Sequence, residues 1–232
     1  VKLSLPSPFP RENLCLCAVT SVSTRHDDRD KNAVRVAKII AASVLARKGN
    51  YIAYFPSYRY MEQVAKYFSS KFPAVNIFVQ KRGMSHAEKE EFLGYFKDDR
   101  NVLRIGFCVL GGSFSEGVDL PGSRLIGSII VGVGLPQISN ELNIIRDFYE
   151  LKYEQGYDYA YTYPGMNKVL QACGRVIRLE SDRGIVVLID DRYATPKYKS
   201  LFPPHWNNIN FASSASELAS IVENFWQNEN NM

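Results

Sequence analysis

The feature that most constrains this chain is an alternation between short runs that are apolar almost throughout and longer segments whose apolar residues recur at helical spacing. The runs lie at 14–19, 51–55, 75–80, 102–109, 125–131 and 184–189, and they are rich in β-branched and aromatic residues. A half-wet strand alternates apolar with polar, whereas a continuous apolar run predicts a strand covered on both faces. Between the runs, Ala33, Val36, Ala37, Ile40 and Val44 follow a helical period, and Gly49 closes that segment. Ser85 and Glu88 form a capping box ahead of Phe92, Leu93 and Phe96. Further helical patterns cover 59–72, 138–153 and 166–178. Strands that alternate with helices predict parallel neighbours joined by right-handed crossovers. The expected fold is α/β and doubly wound, a mainly parallel sheet flanked by helices. Residues 1–195 are expected to form that domain. Residues 196–232 are expected to supply a tether containing Pro196, Pro203 and Pro204, then a helix opened by Ser214 and Glu217. That helix should dock on the domain through Leu218, Ile221, Val222 and Phe225.

Composition narrows the function classes. With 46% hydrophobic and 22% charged residues in 232, the chain can build a core, which excludes long disorder and a disulfide scaffold. The most apolar stretch, 125–133, is broken by Gly127, Ser128 and Gly132, far short of the roughly 18 apolar residues of a membrane span. Pro6, Pro8 and Pro10 interrupt the start before a signal-peptide core can form. Cys15, Cys17, Cys108 and Cys173 contain no CxxC pair, so they are expected as small core residues in a reducing cytoplasm rather than as metal ligands. The balance of 28 basic against 24 acidic residues, net +4, permits nucleic-acid binding without arguing for it. Gly132-Val-Gly134 lacks the third glycine of a dinucleotide loop, because Gln137 stands there. Those glycines are expected to allow a tight turn from strand to helix. Ile189-Asp-Asp191 ends an apolar run in acid and is expected as a strand end and turn.

Chemistry concentrates in Gln171-Ala-Cys-Gly-Arg-Val-Ile-Arg178. On a continuous helix at about 100° per residue, Gln171, Arg175 and Arg178 fall within roughly 60° of one another. Val169, Leu170, Cys173, Val176 and Ile177 take the opposite arc. Two guanidiniums side by side repel unless an anion lies between them, and Arg meets phosphate oxygens through paired hydrogen bonds. Gly174 costs about 1 kcal/mol of helix propensity against Ala, which is easier to explain where something approaches the backbone closely. A solvated face, with these arginines paired to Glu180 and Asp182, is the competing reading.

This string resembles motif VI of superfamily 2 helicases, in the form of the DinG/XPD branch. Gly111-Gly-Ser-Phe-Ser-Glu-Gly-Val-Asp-Leu-Pro-Gly122 resembles that branch's motif V, and Tyr54-Phe-Pro-Ser-Tyr58 its motif IV. Gly184-Ile-Val-Val-Leu-Ile-Asp-Asp-Arg-Tyr193 resembles the strand after motif VI, and Ser7-Pro-Phe-Pro10 the approach to the second motor domain. The sequence has no G-x-x-x-x-G-K-[ST] loop and no Asp-Glu-Ala-His box. The resemblance therefore implies the second RecA-like motor domain of a larger DNA helicase, inactive as an ATPase alone. ATP with Mg2+ would bind between two motor domains, with the P-loop, the metal ligands and any iron–sulfur cluster on polypeptide outside this chain.

By the same resemblance, Arg175 and Arg178 would act as arginine fingers, with Gln171 helping to position the γ-phosphate or attacking water. Glu116, Gly117, Asp119 and Gly174 would couple nucleotide to DNA. Ser57, Tyr58, Arg59, Gln80, Ser113 and Ser115 would line a single-stranded DNA track. The alternative is a free-standing nucleic-acid or nucleotide-binding module without a motor.

Overall fold

Seven parallel strands form one sheet in the order β3-β4-β2-β5-β6-β1-β7, in a computed structural model that describes residues 8–112, 114 and 120–228. They are β1 (Leu14–Val19), β2 (Gly49–Phe55), β3 (Asn76–Val79), β4 (Leu103–Val109), β5 (Gly127–Val131), β6 (Gly184–Ile189) and β7 (Asn210–Ala212). The helices named among the described residues are α1 (Arg29–Val44), α2 (Tyr58–Lys71), α3 (His86–Gly94), α4 (Asn140–Tyr153), α5 (Tyr163–Cys173), α6 (Pro196–Lys199) and α7 (Ala215–Gln227). The fold is RecA-like.

The continuous apolar runs have the cause expected of them. Tyr51, Ala53 and Phe55 of β2 join a core with α1, α2 and α7 on one face, while Ile52 and Tyr54 join a second core with α3 and α5 on the other. Each residue of β2 is thus buried whichever way it points, whereas the edge strands β3 and β7 are only partly covered. All four cysteines are free thiols inside these cores. Helix α4 differs from the rest, because none of its residues is buried.

Local signals set the helix starts. At α3 the Ser85 hydroxyl accepts the Glu88 amide at 3.3 Å, and the Glu88 carboxylate accepts the Ser85 amide at 2.7 Å, a complete capping box. At α7 only half of the expected box forms. Ser214 accepts the Glu217 amide at 3.1 Å, but the Glu217 carboxylate reaches one residue further back, to the Ser213 amide at 2.8 Å. The proline-containing stretch before α7 is more than a tether. It carries α6, buries Trp206, and adds β7 to the sheet with Cys17 opposite Asn210. Polar Asn208 and Asn210 and the short length hide that strand from a periodicity argument.

The glycines after β5 do not make the tight strand-to-helix turn expected of them, because residues 132–139 run irregularly before α4 begins at Asn140. Gly132 and Gly134 have φ of +92° and +70°, in the left-handed region that favours glycine. Gly134 also meets the first turn of α5, where a Cβ on Gly165 would lie 2.7 Å from the Val133 carbonyl oxygen. Gly165→Ala should therefore lower the unfolding free energy by about 1–3 kcal/mol, the usual cost of overpacking, read as a lower urea midpoint. An unchanged midpoint would mean that the two backbones separate without penalty.

Candidate nucleotide and nucleic-acid face

Because β3, β4 and β2 are adjacent and parallel, the segments that leave their C-terminal ends share one sheet edge, where open α/β sheets place ligands. Ser57, Tyr58 and Arg59 follow β2, Gln80 follows β3, and Gly111-Gly112 follow β4. Ser57 is the N-cap of α2, with its hydroxyl accepting the Tyr60 amide at 3.4 Å. Arg59 is exposed and lies 3.7 Å from Asp30, a solvent-screened pair. Tyr58 is half-buried under the guanidinium of Arg82, 4.7 Å from the ring centre.

Gln80 departs from expectation, being only 4% exposed. Its carboxamide oxygen accepts the Val109 amide at 2.8 Å, and its NH2 donates to the Tyr58 hydroxyl at 3.0 Å. Both ends of the side chain are committed inside the protein, so Gln80 braces this edge instead of offering a contact to a strand. Its place at the end of an apolar run carried no sign of that burial. Ser113, Ser115, Glu116, Gly117 and Asp119 lie outside the described residues, as does Ser7.

The segment from Gln171 to Arg178 is not one helix, which corrects the expectation of a helix over 166–178. Helix α5 ends at Cys173, with Gly174 as its C-cap at φ −67° and ψ 0°. Beyond it, the Asp182 carboxylate accepts the Arg178 amide at 2.7 Å and the Leu179 amide at 2.8 Å, folding 178–182 into a turn. Val176 is buried, close enough to β6 that a Cβ on Gly184 would meet its side chain at 2.3 Å. A helix continued through Val176 would lose that seat. Gln171 and Gly174 are therefore exposed at the helix end, while Arg175 and Arg178 are half-buried on the turn that follows. The competing reading had Asp182 paired with a guanidinium, but its carboxylate oxygen instead holds the backbone that carries Arg178.

Two of the motif segments meet at one buried hydroxyl, and a charge from the third acts on it. Tyr54, at the end of β2, donates to the Phe114 carbonyl at 3.1 Å. Burial pushes its phenol well above the ordinary value, Cys108 adds to the rise, and the nearby Arg175 charge opposes it. The Arg175 charge is thus felt at the hydroxyl that joins the end of β2 to Phe114 of the glycine-rich loop. Spacing alone gave no hint that Tyr54 would tie these segments together.

A second polar cluster ties the ends of β1 and β6. Asp190 is fully buried and takes a two-pronged contact from Arg192, Nε to Oδ1 at 2.6 Å and Nη2 to Oδ2 at 2.9 Å. The Thr24 hydroxyl also donates to this carboxylate, and Arg29 Nε donates to the Thr24 carbonyl at 3.0 Å. Burial alone would raise the Asp190 pKa, but the Arg192 hydrogen bonds and charge, with Thr24, outweigh it and hold the group below the usual carboxylate range. Asp190 also caps the turn at 191–194 through the Arg192 amide at 2.9 Å, as a strand end and turn should. Arg25 pairs with Asp191 at 2.5 Å on the exposed side. Sequence reasoning passed over Thr24, Arg29 and Arg192. The available signal was an Asp-x-Arg directly after a fully apolar strand.

The sequence profile of the helicase C-terminal domain matches residues 40–209. The chain belongs to this family of helicase C-terminal domains. A probable ATP-dependent helicase of Methanocaldococcus jannaschii is 29% identical over 83% of this chain and 31% of its own length. The XPD helicase subunit of general transcription and DNA repair factor IIH from Dictyostelium discoideum is 29% identical over 79% of this chain and 26% of its own length. The chain thus spans under a third of either relative. An apo XPD structure superposes with a TM-score of 0.69, at 23% identity, over 86% of this chain and 40% of that one. That likeness is one of fold.

Proposed function

We propose that this chain is the second motor domain of an ATP-dependent DNA helicase and completes an interdomain nucleotide site with Arg175 and Arg178. The observation that carries the reading is the turn after α5. It carries two half-buried guanidiniums, one whose charge acts on the buried Tyr54 hydroxyl, the other fixed through its amide by Asp182. Arginines held in this way stabilise the charge that spreads over a transferring phosphoryl group without having to reorganise when it develops. The exposed Gln171 carboxamide suits a role in orienting the terminal phosphate or the attacking water. Gly174, exposed and without a side chain, leaves the backbone open to close approach. Glu116, Gly117 and Asp119 are assigned the coupling of nucleotide to DNA.

Among the described residues no group of acidic, histidine or cysteine side chains could hold a metal ion. The donors here are guanidinium, carboxamide and amide, which fit phosphate oxygens rather than Mg2+. The metal that accompanies ATP would be held by the first motor domain. Single-stranded DNA would cross the edge formed by the ends of β2, β3 and β4. Arg59 and the Ser57–Tyr58 backbone would contact phosphates there, with Ser113 and Ser115 from the neighbouring loop. Tyr58 offers a ring already ordered by Gln80 and Arg82. Closure of the cleft around nucleotide would shift this contact set against the one on the first domain.

The 232-residue chain on its own is expected to release no phosphate from ATP above background, with or without single-stranded DNA. The full-length protein should turn ATP over in a DNA-stimulated manner. Phosphate release by the chain alone at the full-length rate would refute a shared site.

A further inference from the structure

Helix α4 is held to the domain by one side. Ser139 caps it by accepting the Leu142 amide at 3.3 Å, Tyr149 stacks on Tyr159 with ring centres 4.1 Å apart, and Asn143 accepts the Tyr161 hydroxyl at 3.3 Å. The opposite face carries Ile144, Phe148 and Leu151, which fall within roughly 60° of one another at about 100° per residue. These side chains are 70%, 56% and 92% exposed. One exposed apolar residue needs no explanation, but an apolar stripe at i, i+4 and i+7 on an ordered helix is the form that a partner's apolar depression takes up. The flanks are acidic. Residues 140–154 carry Glu141, Asp147, Glu150 and Glu154 against two cations, Arg146 and Lys152. Arg146 is tied to Asp147 at 2.8 Å, and Lys152 lies over the Phe148 and Tyr153 rings. An excess of carboxylate repels a nucleic-acid strand and suits a protein surface with a basic rim.

Two observations point to the occupant. The chain spans under a third of either relative, so most of such a protein lies outside it. The helical turn at 158–162 that holds α4 runs directly into α5, the helix that ends in the turn bearing Arg175 and Arg178. A first motor domain closing on those arginines approaches the helix layer to which α4 is attached. We infer that the stripe of Ile144, Phe148 and Leu151 docks in an apolar depression with a basic rim on that first motor domain. This contact is separate from the nucleotide pocket, and it rests on the motor reading proposed above. Docking would fix α4 and the turn at 158–162, and through them the position of α5 against the partner domain.

Hydrogen exchange of the full-length protein and of the 232-residue chain, at equal concentration and without nucleic acid, tests the inference. The amides of 144–152 should exchange at least about tenfold more slowly in the full-length protein. Ile144→Asp/Leu151→Asp in the full-length protein should return them to the rate of the isolated chain. Both side chains are exposed, so the fold should tolerate the change, and parent-like exchange in β2 and β6 checks that it does. The control Leu45→Asp alters an exposed apolar residue just past α1 and should leave α4 protected. A photoreactive benzophenone side chain in place of Phe148 should cross-link to the domain that carries the P-loop. Equal exchange in the two proteins overturns the docking. So does protection that grows with protein concentration, which marks a second copy, or that requires an added oligonucleotide, which marks a strand. A cross-link outside the P-loop domain overturns it as well. Loss of ATP turnover in Arg175→Ala reads the motor assignment by itself, so the two can fail separately.

Discussion

Arg192→Ala is expected to lower the unfolding free energy by about 3–5 kcal/mol, the usual cost of leaving a buried charge without its partner. The Asp190 carboxylate is fully buried, and two of its hydrogen bonds come from the guanidinium that would be removed. Thr24 cannot replace a charge. The effect should depend on pH with a definite sign. In the parent, the Asp190 pKa lies below its ordinary value of 3.8, so its contribution is full above that value and fades as pH falls through the lower folded one. In the variant, burial is no longer outweighed, the folded pKa rises, and protonation relieves the buried charge. The gap between parent and variant should therefore shrink between pH 7 and pH 4. Urea midpoints at the two pH values check this, and a pH-independent gap would mean that Arg192 acts through packing alone.

In the full-length protein, Arg175→Ala and Arg178→Ala should each lower kcat for ATP about 10²–10³-fold, equivalent to about 2.7–4 kcal/mol of transition-state stabilisation. The lysine variants should recover only part of the loss, because an ammonium keeps the charge but not the paired donors of a guanidinium. Both side chains leave a turn rather than a helix, so their spacing depends on Asp182. Initial rates with saturating single-stranded DNA, against KM for ATP, make the measurement. Parent-like turnover in either alanine variant would remove that residue from the site.

The architecture was legible because the physics behind it is local and repeated. Runs such as 184–189 are apolar at every position only when both faces of a strand are covered, and that requirement led directly to a parallel sheet between helices. Capping boxes likewise announce themselves, although at α7 the carboxylate chose Ser213 over the neighbour that spacing suggested. Other features depended on the tertiary context. Strand β7 exists because β1 offers it an unpaired edge, not because Asn210-Phe-Ala212 has a strong preference of its own. The segment holding Arg175 and Arg178 has helical periodicity to its end. The helix nevertheless stops at Gly174, because Val176 seats against β6 and a carboxylate eight residues on captures two amides. Gln80 illustrates the same point for binding residues. A polar side chain at the mouth of a strand looks available until the fold shows both of its ends in use.

The placement of β1 between β6 and β7 governs the order in which the sheet can be completed. Leu14 must wait for Gly184, and Cys17 for Asn210, before either acquires its lateral partner. During ribosomal synthesis, the first-made strand therefore stays without neighbours until nearly the last has emerged. Closing such distant pairings is slow, and open strand borders attract other nascent polypeptides. Nascent chains stalled while β7 is still inside the ribosomal exit tunnel would display a sheet that still has a sticky rim, and they should depend on chaperones more than those stalled after β7 has emerged.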